Sequence, residues 1–209
     1  MEQRPKKGFR YWFVNVFWYH YGKISLLVLF LVGSAVFLTV DALRKEKYDL
    51  NVALIVDRAV ARDDTAALGE LFASAAGDVD GNGQAKVNIV TVNLASEENV
   101  EAVQYRIMLY LSQPEYTVFL MSGYESSVYA AQEDTFQPLA DYGFQGAEED
   151  GMRLFVGNKA ILRDLGITDC YVCLSDWTVD GRGSEEMTAA AVRAIRALVD
   201  SPDVPGEEN

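Results

Sequence analysis

Leu50–Val56 reads LNVALIV, a nearly unbroken apolar run. A strand with one wet face alternates apolar and polar residues, whereas one covered on both faces does not, so this run predicts a strand inside a parallel, helix-covered sheet. Downstream, Asp63, Asp64 and Thr65 supply helix-start chemistry, Leu68, Leu71, Phe72 and Ala75 recur at helical spacing, and Gly77 ends that helix. A second strand follows over residues 86–94 (KVNIVTVNL). Ser96, Glu97 and Glu98 then open a helix carrying Val100, Val103, Ile107 and Leu111, which stops before Pro114. Residues 116–121 (YTVFLM) form a third strand that runs through Ser122-Gly123 into helical turns over 125–131. Strands alternating with amphipathic helices imply right-handed crossovers and a parallel sheet. Beyond this the pattern loosens: short strands at 153–156 (RLFV) and 170–174 (CYVCL) flank a weak helix at 159–165. A final helix opens at Ser184-Glu185-Glu186, with Met187, Ala191, Ile195, Leu198 and Val199 inward.

Upstream of the first strand, residues 24–40 contain no charged side chain in 17 positions. At about 1.5 Å per residue this run rises roughly 25 Å, which predicts a transmembrane helix. The thirteen residues before Gly22 hold eight aromatics, from Phe9 to Tyr21, mixed with basic side chains. Tyr and Trp favour the headgroup layer, so this stretch is expected to lie at the membrane interface. Five Lys/Arg precede the run and Arg44, Lys45 and Lys47 follow it, a bias that places the amino terminus inside the cell and the carboxy-terminal domain outside. A cleaved signal peptide is the alternative, with Val40-Asp41-Ala42 as a weak cleavage site. The expected organisation is an interfacial aromatic-basic segment (1–23), a transmembrane helix (24–40), a stalk (41–48), an extracytoplasmic domain (49–200) and a disordered acidic tail (201–209). The fold class is α/β: one amino-terminal transmembrane helix followed by a three-layer α/β/α domain with a mostly parallel sheet.

Charge narrows the partners. The 209-residue chain carries a net charge of -13, and beyond residue 23 there are 13 basic against 30 acidic side chains. Such a surface repels phosphate backbones, which excludes nucleic acid as a partner for the domain. The single histidine, His20, lies outside the domain, so neither a Ser-His-Asp site nor a histidine-ligated zinc can be assembled there. The glycine-rich phosphate cradles GxGxxG and GxxxxGK[ST] are also missing from their expected places.

The sharpest local motif is Asp78-Val79-Asp80-Gly81-Asn82-Gly83, the first half of a calcium loop, with oxygens at alternate positions and glycine at the turn. Asp78, Asp80 and Asn82 with the Gln84 carbonyl are the expected metal ligands, and calcium the expected cation. The second half of the loop fails, with Ile89 where a bidentate carboxylate belongs, and the same residues suit a plain polar turn. Cys170 and Cys173 have CxxC spacing, but residues three apart on a strand point to opposite faces, so two buried thiols are expected. Open parallel sheets bind ligands at the carboxyl ends of their strands where strand order reverses. With order 2-1-3, Asp57, Arg58, Ser122, Gly123 and Tyr124 wall that crevice, with Asn93 and Trp177 at its rim.

The aromatic-basic run FRYWFVNVFWYHYGK, the apolar segment, YDLNVALIV and the DxDGNG turn together resemble a clostridial-type group of single-pass membrane proteins. Their exported α/β part is similar to one lobe of an extracellular solute-binding protein. The resemblance implies a membrane-anchored binding or interaction module, accessory to a membrane complex or transporter, and supplies no active residues. Its partners would be the lipid bilayer and either a small-molecule ligand or another membrane protein. A carboxylate- or divalent-cation-dependent hydrolase or transferase is the alternative. A structural membrane-complex subunit is another, with Gly33-Ser34-Ala35 as small residues for helix packing.

Overall fold

The computed structural model describes residues 8, 9, 13, 18–44, 48–96, 100–176 and 185–205. The chain divides into two units, Met1–Lys47 and Tyr48–Asn209. The first is built on helix α1, Tyr19–Arg44, which begins within the aromatic stretch and runs on through residues expected as stalk. The Trp18 ring lies over Gly22, where a Cβ would approach it to 3.2 Å. Side chains such as Leu29, Phe30 and Phe37 are exposed.

The expectation of a membrane span is overturned: among the described residues no helix is long and apolar enough to cross a membrane. The uncharged run has 17 residues, and its rise of about 25 Å falls short of a hydrocarbon core of about 30 Å. Ser25, Gly33 and Ser34 dilute it further. The single-pass assignment falls with the span, and so does the placement of the amino terminus inside and the acidic domain outside the cell.

The second unit is a five-stranded sheet of order β2-β1-β3-β5-β4. Its strands are β1 (Leu50–Val56), β2 (Val87–Asn93), β3 (Tyr116–Met121), β4 (Arg153–Phe155) and β5 (Tyr171–Leu174). All seven residues of β1 are buried. It pairs in parallel with β2 on one side and with β3 on the other. Its one polar residue, Asn51, accepts a 3.0 Å hydrogen bond from Asn88 Nδ2 across the ladder, which removes the cost of burying an unpaired amide. Helices α2 (Ala66–Ala76), α5 (Ala160–Asp164) and α6 (Glu185–Val199) cover one face. There Leu50, Val52, Leu54 and Val56 meet Leu68, Phe72, Leu162, Ala191 and Ile195. Helices α3 (Val100–Leu111) and α4 (Gly123–Ala130) cover the other, where Ala53 and Ile55 meet Val103, Ile107 and Tyr129.

The sheet is mixed rather than mostly parallel. β5 runs antiparallel to both β3 and β4. β4 therefore runs the same way as β1, β2 and β3, and β5, inserted between β3 and β4, is the one reversed strand. The strands RLF and YVCL are too short for their apolar pattern to reveal direction. The start of the tail is also tied down: Ala160 N donates to Pro202 O at 2.9 Å, and Lys159 Nζ lies 2.7 Å from Asp203 Oδ1.

Leu54 is fully buried at the centre of the larger core. Leu54→Ala should lower the unfolding free energy by about 3–5 kcal/mol through lost burial and a cavity. Leu109→Ala, at an exposed site on α3, should cost less than about 0.5 kcal/mol. Urea midpoints at unchanged slope provide the comparison.

Candidate functional site

The strand-end crevice forms where β1 and β3 lie side by side, with Ser122 N donating to Ile55 O at 3.0 Å. Ser122 caps α4, its hydroxyl accepting from Glu125 N. Chain from beyond α5 closes over this opening. Gly123 N donates to Asp169 Oδ2 at 2.9 Å, so a carboxylate of the chain itself occupies the position at the α4 amino terminus where a bound anion would sit. A Cβ on Gly123 would come within 2.8 Å of Asp169 Oδ1, so glycine is needed for this approach. Arg58 Nη1 donates to the Gly166 carbonyl. Asn93 accepts from Ala95 N at 3.0 Å and so shapes its own turn. Asp57 and Tyr124 are exposed. Trp177 lies outside the described residues. The fold thus brings Ser122 and Gly123 to the end of β1, while Arg58 and Asp169 are engaged with the chain's own groups.

The DxDGNG turn is organised by two carboxylates. Asp78 accepts from the backbone N–H groups of Gly81, Asn82 and Gly83. Asp49, only 3% exposed, accepts from Val79, Asp80 and Lys86 N at 2.8, 3.1 and 2.8 Å. Gly81 and Gly83 take φ of 74° and 86°, the left-handed region that favours glycine. Burial raises the Asp49 carboxyl, and hydrogen bonds from the N–H groups of Lys86, Val79 and Asp80 outweigh it, holding the group below the usual carboxylate range. Oxygens of Asp49, Asp78 and Asp80 lie within 4.8 Å of one another. Asn82 Oδ1 accepts from Gln84 N, tightening the turn. Asp49 is the member that motif reading misses. It stands far upstream of Asp78, and only the pairing of β1 with β2, which sets Leu50 against Val87, carries it to the turn.

Cys170 and Cys173 are free and fully buried, one in each core. Burial, the larger cause for both, pushes both thiols far above their ordinary range, so neither forms a thiolate readily. A groove of about 510 Å³ runs along α6 past Tyr142, Thr188, Val192 and Arg193. Arg193 is already spent on the carboxyl end of α2, donating to the carbonyls of Ala75 and Ala76, where a cation suits the helix dipole.

The α3–α4 layer differs. Among the described residues of 48–205, the six large apolar side chains that are exposed all lie on these two helices: Val100, Tyr105, Met108 and Leu109 on α3, Tyr124 and Val128 on α4. Val103 and Ile107 are buried, whereas Val100, expected beside them, is 68% exposed. Tyr105, Met108 and Leu109 stand three and four residues apart, so they share one outward face. Met108 and Leu111 on α3 and Tyr129 on α4 line a groove of about 210 Å³, closed by Gln132, Asp134 and Thr135.

No protein-family model matches the sequence, and comparison with curated proteins and with solved structures finds no significant relative.

Replacing the Asp49 carboxylate removes the acceptor of three N–H groups. Asp49→Ala should therefore cost about 1–3 kcal/mol at neutral pH. A depressed folded-state pKa means this stabilisation is present above the unfolded carboxyl value of about 3.9 and is lost as pH falls through the folded value. The gap between wild type and Asp49→Ala in urea unfolding should accordingly narrow in acid.

Proposed function

We propose that the α/β domain is a binding module whose working surface is the α3–α4 layer. The observation that carries this reading is the gathering of all six of the domain's exposed large apolar side chains, among the described residues, on these two helices. Isolated exposed apolar residues are ordinary, but their concentration on two helices that line a common groove is typical of interaction sites. The engagement of Arg58 and Asp169 at the strand ends weighs against the crevice as the primary site. Photo-crosslinking residues placed at Met108 or Tyr124 in the full chain, in cells producing it, should yield crosslinked products. The same group at Glu70 on the opposite layer should not. Products from Asp57 instead would return the function to the crevice.

A second reading rests on the acidic triad. Two of its carboxylates already accept three N–H groups each, so a divalent cation such as calcium would use their remaining lone pairs, Asp80 and water. Hard cations take six to eight oxygens, and three carboxylates support weak binding that braces the turn. Millimolar calcium should then raise the melting temperature of the full chain, and Asp80→Ala should abolish the rise. Identical curves with and without calcium would discard this reading.

A further inference from the structure

The charges around the α3–α4 face indicate what covers it. Residues 100–135 contain five acids, Glu101, Glu115, Glu125, Glu133 and Asp134, against the single cation Arg106, and Arg153, which reaches Ser126 Oγ on α4 at 3.4 Å, is paired with Asp150. Glu115, Glu133 and Asp134 are exposed, and Asp134 lines the groove beside Met108 and Tyr129. Burial raises the carboxyl of Glu125, next to exposed Tyr124, and no cation among the described residues counters it. The opposite layer is mixed, with Arg163, Arg193 and Arg196 interspersed among Glu70, Asp164, Glu185 and Glu186. Helix α1 exposes apolar side chains from Ile24 to Phe37, a stretch that contains no acidic residue, so this stretch lacks the pairing of apolar face and charge found on α3–α4.

We propose that the α3–α4 face docks a cationic amphipathic helix of a partner protein, one apolar side chain seated between Met108, Leu111 and Tyr129 and Lys or Arg side chains meeting Asp134 and Glu133. This rests on the reading of the domain as a binding module and adds the chemistry of the partner. An apolar ridge lying in a groove between helices is an established mode of helix recognition. Opposite charge at the rim sets orientation and speeds encounter. A second copy of the chain is the poorer occupant, because two-fold pairing of this face would oppose its own carboxylates.

The test uses the full chain and two synthetic amphipathic helices of about 18 residues with identical leucine spacing, one with lysine and one with glutamate on the polar face. Fluorescence anisotropy should give binding of the lysine peptide at least about tenfold tighter than that of the glutamate peptide. Tyr105→Ser/Met108→Ser should weaken the lysine peptide by about tenfold or more. Both side chains are exposed, at 70% and 62%, so folding should survive, as circular dichroism would confirm. Glu133→Gln/Asp134→Asn should weaken binding at low salt and remove most of its salt dependence. Equal binding of the lysine peptide to wild type and to the serine variant would overturn the proposal, since attachment would then be elsewhere. Preference for the glutamate peptide, or sedimentation showing self-association that the serine variant abolishes, would overturn the cationic partner while leaving the binding face intact. If the serine variant changes neither peptide binding nor self-association, the face and the partner fall together.

Discussion

Burial of β1 on both faces is the constraint from which the rest of the domain follows. Seven consecutive buried residues cannot sit at an edge or on a one-sided sheet. They require a hydrogen-bonded neighbour on each side, here the parallel strands β2 and β3, and a helical layer above and below. The crossovers that provide those neighbours also provide the layers: α2 lies between β1 and β2, and α3 between β2 and β3. Every element up to β3 thus does two jobs, pairing or covering. The chain beyond β3 completes the sheet with two short strands, of which β5 alone runs against the others.

At the entrance to β1, Asp49 shows how a buried charge becomes structural. A carboxylate taken out of water is costly unless its lone pairs are filled. Here three backbone N–H groups fill them, and in doing so they fasten the Asp78–Gly83 turn to the start of the central strand. The same carboxylate serves the fold and the acidic triad. For that reason the turn reads equally as a structural corner and as the beginning of a cation site.

The two helical layers are unequal. On the α2–α5–α6 side, alanines and aliphatics of α6 are fully buried, and Arg193 and Arg196 tie its outer edge to backbone carbonyls of neighbouring segments. On the α3–α4 side the inner faces are satisfied while Tyr105, Met108 and Leu109 are exposed among the described residues. Apolar area left in water is a free-energy cost that a partner would relieve. For the proposed partner, the acidic residues Glu133 and Asp134 would make that relief selective by charge. At the strand ends, by contrast, a neighbouring loop already supplies the complementary groups.

Much of the domain was legible in its local patterns. The unbroken LNVALIV run, the helical spacing of Leu68 and Phe72, and the acids opening α6 each encode one element through its own neighbours in sequence, and each element lies where the pattern predicts. The opposite facing of Cys170 and Cys173 followed from strand geometry in the same way. Length misled at residues 24–40, where the uncharged stretch reads as a span only if about 25 Å is stretched to a full hydrocarbon core. Strand direction at β5, the arrival of Asp49 beside Asp78, and the closure of the crevice by Asp169 could not be read in advance. Each depends on contacts between residues distant in the chain, and periodicity carries no information about which segment will lie beside which. The outward stripe on α3 falls between these cases: its residues are plain in the sequence, but which of the helix's two apolar stripes turns to the core was decided only when the sheet took Val103 and Ile107 and left Tyr105, Met108 and Leu109 to solvent.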